Sequence, residues 1–255
     1  MIAHRTTSAR RGKGVAFKVA LAGGILALLA ALSMAGAGPA YRAGLLALGE
    51  AFSLLRYGAF VALGAAGLGL VGLIIAAYTR RALPALLGGL VVVAGLVLVA
   101  VPWLQLQKAQ AVPPIHDITT DMQDPPAFEA LAPAREAAPN AVTYPGEATA
   151  RQQREAYPDI QPLVVEAPLA EVLATAEAAA RDAGWEIARV GETWLEATAT
   201  TPWFGFKDDV VIRLTETPDG VRVDMRSASR LGISDVGTNA ARIQTFLDDL
   251  SERLE

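Results

Sequence analysis

The stretch DDVVIRLTETPDGVRVDMRSASR, residues 208–230, reads as two strands, Asp208–Glu216 and Val221–Ser229, folded about the turn Pro218-Asp219-Gly220. Strand alternation sends Arg213, Arg222, Asp224, Arg226 and Arg230 to one face, and Ile212, Leu214, Val221, Val223 and Met225 to the other. The apolar face is expected to lie against helices and the arginine face to point outward. Two registers stay open. A loop of Asp219–Gly220 alone sets Arg213 opposite Arg226 and Asp209 opposite Arg230, and the like-charged pair then calls for a bound anion or a neighbouring carboxylate. A loop running from Thr217 to Gly220 sets Arg213 opposite Asp224, an ordinary cross-strand ion pair.

Working outward, Trp185–Val190 and Thr193–Thr200 read as strands around Gly191–Glu192, and a short strand begins near Leu163. Pro168 to Ala183 has the marks of a helix. Proline stands at its first turn, Leu169, Val172, Leu173 and Ala176 share a face, and Gly184 follows its end. A last helix from about Asn239 to Leu254 carries Ile243, Phe246, Leu247, Leu250 and Leu254 at helical spacing. The order β-α-β-β-β-β-α is best satisfied by an antiparallel sheet with two helices on one face, an α+β domain. Before it, nine prolines between Pro113 and Pro162 mark an irregular connector that either tethers the domain or wraps it.

Upstream the chain changes character. Val19–Tyr41, Tyr57–Thr79 and Ala82–Gln107 carry no charge, and each reaches the roughly 20 residues needed to cross the hydrocarbon core. Glycines such as Gly64, Gly67, Gly88 and Gly89 are expected to allow close helix packing, and Pro84 fits the first turn of the third helix. Tyr41–Arg56, apolar but interrupted by Glu50, reads as an interfacial helix or as an extension of helix two. The resulting division is a basic cytoplasmic N-terminus (1–18), a three-helix transmembrane region (19–108) and a soluble α+β domain with its proline-rich lead-in (109–255).

Charge gives this arrangement a direction. Through Lys108 there are ten basic residues against the single acid Glu50, although the whole chain has a formal charge of -4. Arg5, Arg10, Arg11, Lys13 and Lys18 precede the first span, and Arg80–Arg81 form the turn between the second and third. The positive-inside rule places both in the cytoplasm, and three crossings then leave the remainder outside, in the periplasm of a bacterium. A cleaved signal peptide is the alternative for the first segment, with Arg10–Arg11 ahead of an apolar run and small residues near Ala35–Gly38.

Several chemistries are closed to the domain. The chain has no cysteine, which removes disulfides, thiolate metal sites and thiol catalysis, and only two histidines, His4 and His116. The acidic soluble part is a poor partner for nucleic acid, whose phosphates need a basic surface.

The remaining groups suggest a few sites. Arg213, Arg226 and Arg230, with the helix start after Gly232-Ile233-Ser234-Asp235-Val236-Gly237, suit an anion, although a plain turn with a capping residue explains the same residues. The glycine spacing fits neither the P-loop nor the dinucleotide fingerprint. His116-Asp117 with Asp208 and Asp209 suits a metal or a general base. Its plain alternative is an anchor that bonds the connector to the arginine face. Trp203-Phe204-Gly205-Phe206 is an aromatic cluster for core packing, or for a bilayer surface or apolar ligand. Ser227, Ser229 and Ser234 lack a nucleophile-elbow pattern.

Pro113-Pro114-Ile115-His116-Asp117-Ile118-Thr119-Thr120-Asp121, Tyr157-Pro158, Phe204 to Asp209, and Arg226-Ser227-Ala228-Ser229-Arg230 leading to Gly237-Thr238-Asn239 resemble the domain of unknown function 1499 family, from Pro113 to Leu254. The resemblance implies a bacterial envelope protein without an established biochemical role, supplies no catalytic residue, and implies that the His116 segment belongs to the folded domain.

The expectation is therefore a membrane-anchored, non-catalytic binding or interaction module. The bilayer is one partner, with an envelope protein or anionic ligand as another. Its candidate polar or anion-binding cluster comprises His116, Asp117, Asp121, Asp208, Asp209, Arg213, Arg226, Ser229, Arg230, Asp235 and Asn239. No cofactor, metal or catalytic residue is assigned. The alternatives are a hydrolase acting on an anionic envelope substrate and a lipid-binding module.

Overall fold

The computed structural model describes the backbone from His4 to Glu255 and side chains from Gly14 onward. Of the expected basic tail, the side chains of Arg5, Arg10, Arg11 and Lys13 lie outside the described residues. The chain divides into two compact units, Met1–Gln107 and Lys108–Glu255.

The first unit is built from α1 (His4–Arg42), α2 (Leu48–Tyr78) and α3 (Ala82–Ala111). All three are long and apolar enough to cross a membrane. The chain is thus a membrane protein. The stretch before Arg56 is helical from Leu48 and continuous with α2, and Pro84 lies in the first turn of α3. Large side chains such as Leu28, Leu63, Leu86 and Leu90 are exposed, as suits helices solvated by lipid tails.

Small residues make the seams, where Ala27 of α1, Ala65 of α2 and Val91 of α3 cluster. A Cβ on Gly88 would lie 2.7 Å from the Gly69 carbonyl oxygen, and one on Gly95 would lie 2.7 Å from that of Ala62. Gly64, Gly67 and Gly89 have nothing within 4 Å, so of the four glycines expected to aid packing only Gly88 sits in a seam. Composition does not say which way a helix face turns.

The second unit contains, in order, β1 (Asp117–Thr119), α4 (Ala132–Glu136), α5 (Glu147–Ala156), β2 (Leu163–Val165), α6 (Leu169–Asp182), β3 (Glu186–Val190), β4 (Trp194–Thr200), β5 (Lys207–Thr217), β6 (Gly220–Ser229) and α7 (Thr238–Leu254). It is an antiparallel sheet in the order β1-β6-β5-β4-β3, with β2 also paired to β6. The expected β-α-β-β-β-β-α order is present, with β1, α4 and α5 added from the proline-rich connector.

Both long helices lie on one face. Val172, Ala176, Ala179 and Ala180 of α6 and Ile243, Phe246, Leu247 and Leu250 of α7 pack on Leu195, Val210, Ile212, Leu214, Val223 and Met225 of the sheet. Trp185 stacks on Phe246 with ring centroids 5.0 Å apart. Past the end of α6, Gly184 takes a positive φ of 76° while Trp185 N–H donates back to the Ala180 carbonyl, a standard helix stop.

β1 and β2 lie end to end along the outer edge of β6, opposite residues 226–228 and 221–223. The outer edge of β1 is closed by a side chain. Gln153 of α5 donates to the Thr119 carbonyl at 2.6 Å and accepts from the Thr119 N–H at 3.1 Å, doing the work of a neighbouring strand.

The glycine seam gives a direct test. Gly88→Leu should separate α2 from α3 and destabilise the detergent-solubilised full-length protein by about 1–3 kcal/mol, whereas Gly64→Leu should be silent. Thermal unfolding followed by circular dichroism measures both, and equal midpoints would refute the close approach.

Candidate functional site

The register of the β5–β6 hairpin decides which charges meet. Thr217 pairs with Gly220, and Arg213 stands opposite Asp224, so the Arg213–Arg226 pair of the other register does not form. Gly220 is required here, because it holds a φ of 125° and a Cβ would fall 2.4 Å from the Val165 carbonyl oxygen of β2. Asp209, Arg213, Arg222, Asp224, Arg226 and Arg230 then share the face turned away from α6 and α7.

That face does not point outward, contrary to expectation. Residues 120–145 of the connector cross it, and Phe128, Leu131 and partly buried Val142 pack on Val211 and Ala228. Arg226 is 2% exposed and Asp209 is 0% exposed. Burying such charges is tolerable only when they are paired, and the connector and the sheet together supply the partners.

Asp117 accepts from Arg226 at both oxygens, Nε to Oδ1 at 2.9 Å and Nη2 to Oδ2 at 2.8 Å. The remaining guanidinium donors reach the carbonyls of Pro126 and Val142 at 3.2 and 2.9 Å. Arg135 of α4 donates to Asp209 Oδ2 at 3.2 Å and to the carbonyls of Ala228 and Ala141, each at 2.9 Å. The Phe128 ring lies 4.7 Å from the Arg135 guanidinium carbon and 4.8 Å from that of Arg226. Asp209 also receives both forks of Arg230 at 2.8 Å and the Thr198 hydroxyl at 2.9 Å. Toward the rim, Asp121 and Asp224 share Arg213 and Arg222, and Asp124 takes a further bond from Arg213 at 2.8 Å.

Glu196 and Arg135 are among the members of this network that escaped the sequence. Glu196 of β4 is buried, and its carboxylate accepts the N–H groups of Glu129, Ala130 and Leu131 at 2.6, 3.1 and 2.8 Å, holding the entry to α4. Its alternation with Leu195 and Ala197 was the available sign that it shares the arginine face. Arg135 stands in an alanine-rich segment and gave no sign.

The other candidates collect on the opposite face, at the start of α7. Asp235 accepts from Gly237 N–H at 2.9 Å and Asn239 N–H at 2.8 Å, capping the helix. Asn239 Nδ2 donates to the His116 carbonyl and to Ser229 Oγ, each at 3.0 Å, and its Oδ1 accepts from Ser227 at 2.7 Å. Arg242 donates to Asn239 Oδ1, to Ser227 at 2.9 Å, and to Asp208 at 2.6 Å.

The candidate cluster is therefore two clusters with the sheet between them. Asp117, Asp121, Asp209, Arg213, Arg226 and Arg230 lie under the connector, whereas Asp208, Ser229, Asp235 and Asn239 lie beside α7. The backbones of His116 and Asp208 flank β6, roughly 10 Å apart at two strand spacings. His116 contributes its carbonyl, which accepts from Ser229 N–H at 2.9 Å, and its ring Nδ1 has no hydrogen-bond partner. Among the described residues no three His, Cys, Asp or Glu side chains are grouped to hold a metal ion.

Electrostatics agree with a structural network. Burial pulls the Arg135 pKa down, opposed by Asp209 and Asp117. Arg230 is shifted up, chiefly by its bonds to Asp209. Burial raises Asp235 against the two N–H groups it caps, and pushes Tyr144 up to about 12 with help from the Asp117 charge.

The buried Asp117–Arg226 pair makes a measurable claim. Arg226→Met strands the Asp117 carboxylate and should cost about 3–5 kcal/mol, whereas adding Asp117→Leu should recover part of that loss. Urea denaturation of the full chain reads the difference. A single variant as stable as the wild type would show the pair to be dispensable.

Comparison with known proteins adds little beyond kinship. The crystal structure of protein MLL2253 from Mesorhizobium loti is similar to 28% of this chain at 21% identity, with a TM-score of 0.23, too low to carry an inference. The matched part spans about 60% of that protein. No curated protein matches. The model of a protein family of unknown function, DUF1499, matches residues 117–250, more than half of the chain, from the Asp117 that holds Arg226 to the Leu250 that closes the core. The chain belongs to the DUF1499 family.

Proposed function

We propose that this protein is a membrane-anchored bacterial envelope protein whose second unit is a non-catalytic binding or interaction module. Its N-terminus is in the cytoplasm and its α+β domain in the periplasm. The orientation is supported by the five basic residues before the first span and by the Arg80–Arg81 turn. The non-catalytic reading is carried by one observation: the carboxylates that could do chemistry are bonded to arginines within the fold. Asp117 is held by Arg226, Asp208 by Arg242, and Asp209 by Arg135 and Arg230.

The alternatives fare less well. A hydrolase would have to draw His116 and Asp208 together past β6. A lipid carrier would need a cavity at the aromatic cluster, where Phe204 is buried, stacks on Phe206 at 5.1 Å and meets Trp203 edge-on at 5.0 Å.

The chain's lack of cysteine makes the orientation testable. Asp219→Cys, in the exposed β5–β6 turn, should react with a membrane-impermeant maleimide in spheroplasts, while Ser8→Cys should react only after lysis. The opposite pattern would invert the topology. His116→Ala should complement a deletion strain fully. Loss of complementation by a variant with wild-type thermal stability would restore the hydrolase reading.

A further inference from the structure

The first unit holds a hollow that its role as an anchor does not require. Residues 14–18 of α1 and the α2–α3 turn border an open hollow of about 540 Å³, lined by Phe17, Lys18, Arg80, Arg81, Leu83 and Pro84. Among the described residues that line it, charge is of one sign. The sole acid among the first 108 residues, Glu50, lies at the far end of α2, where it accepts the Ala47 N–H at 2.7 Å.

The turn is firmly closed. The N–H groups of Thr79, Arg80 and Arg81 return to the carbonyls of Ile75, Ala77 and Ala76, and the Thr79 hydroxyl adds a bond to Ile75. Arg80 holds a φ of 52°, the left-handed region in which glycine is the usual occupant of a helix stop. Glycine would suit this backbone, so the arginine stands in a conformation its side chain does not favour. Topology alone asks for positive charge near this end of the spans, but not for a concave arrangement of it. Phe17 and Leu83, 38% and 61% exposed, put apolar surface at the same hollow.

We propose that this hollow binds the headgroup of an anionic phospholipid. Lys18, Arg80 and Arg81 take the phosphate, and Phe17 and Leu83 lie along the first carbons of the acyl chains. The position is at headgroup depth, where each lysine or arginine gains from an anionic lipid and a guanidinium pairs well with phosphate oxygens. Such a site needs the helices to cross a bilayer, but no particular role for the second unit.

Native mass spectrometry of the full-length protein in neutral detergent tests it, with phosphatidylglycerol, phosphatidylcholine and inorganic phosphate as separate probes. Wild type should retain phosphatidylglycerol selectively. Lys18→Gln/Arg80→Gln/Arg81→Gln should weaken that binding on the order of a hundredfold, while Arg42→Gln/Arg56→Gln, at the other end of the helices, should leave it intact. Arg80→Gly guards against misfolding, because glycine suits the left-handed turn. It should bind phosphatidylglycerol about fivefold more weakly with no fall in lipid-free thermal midpoint. Equal retention of phosphatidylcholine, undiminished phosphatidylglycerol binding in the folded Arg80→Gly protein, or equivalent saturable binding of inorganic phosphate alone would each overturn the site.

Discussion

The ion pair between Asp117 and Arg226 organises the second unit. A guanidinium buried to this degree needs donors and charge satisfied together, and Asp117 meets half of that need with a two-pronged bond. The other half comes from the carbonyls of Pro126 and Val142, which fixes the path of the connector at two further points. Once Asp117 is held, β1 has one register on β6, with Asp117 beside Ala228 and Thr119 beside Arg226. Gln153 can then close the free edge of β1, and Glu196 can hold the entry to α4. Such a network is strong when complete and costly when broken, because each remaining charge would be left in a dry interior.

The same network neutralises the arginine row from within the fold. A row of arginines and aspartates in a sequence suggests a surface waiting for an anion. Here the fold supplies the anions itself, from Asp117 and Asp121 in the connector and Asp209 and Asp224 in the sheet. Asp208 and Asp209 are neighbours in the chain, yet one bonds Arg242 beside α7 and the other bonds Arg135 and Arg230 under the connector. Strand alternation separates them by the thickness of the sheet, and a site using both on one substrate has no geometry to stand on.

The membrane unit follows a different rule. Its helices gain nothing by hiding leucine from lipid, so contact is won by close approach of backbones at Gly69, Gly88 and Gly95. Charge lies outside the uncharged stretches 19–41, 57–79 and 82–107, and Arg80, with its left-handed backbone, borders the same hollow as Lys18 and Arg81.

The sequence by itself determined the three spans, both long helices, the five strands from Leu163 onward and the separation of apolar from charged residues in β5 and β6. These depend on periodicity and length, which are local properties of a chain. Family kinship was legible too, including the inference that the His116 segment belongs to the fold. Only tertiary structure decided the rest. β1 is three residues long and exists because β6 and Gln153 bond it. The hairpin register was open between two solutions until Thr217 and Gly220 paired. The arginine face looked exposed because alternation reports which residues share a side and not what covers it. The cover is an irregular, proline-rich segment held by single side chains, Asp117, Arg135 and Phe128, and contacts between residues 74 to 109 positions apart leave no period in a sequence.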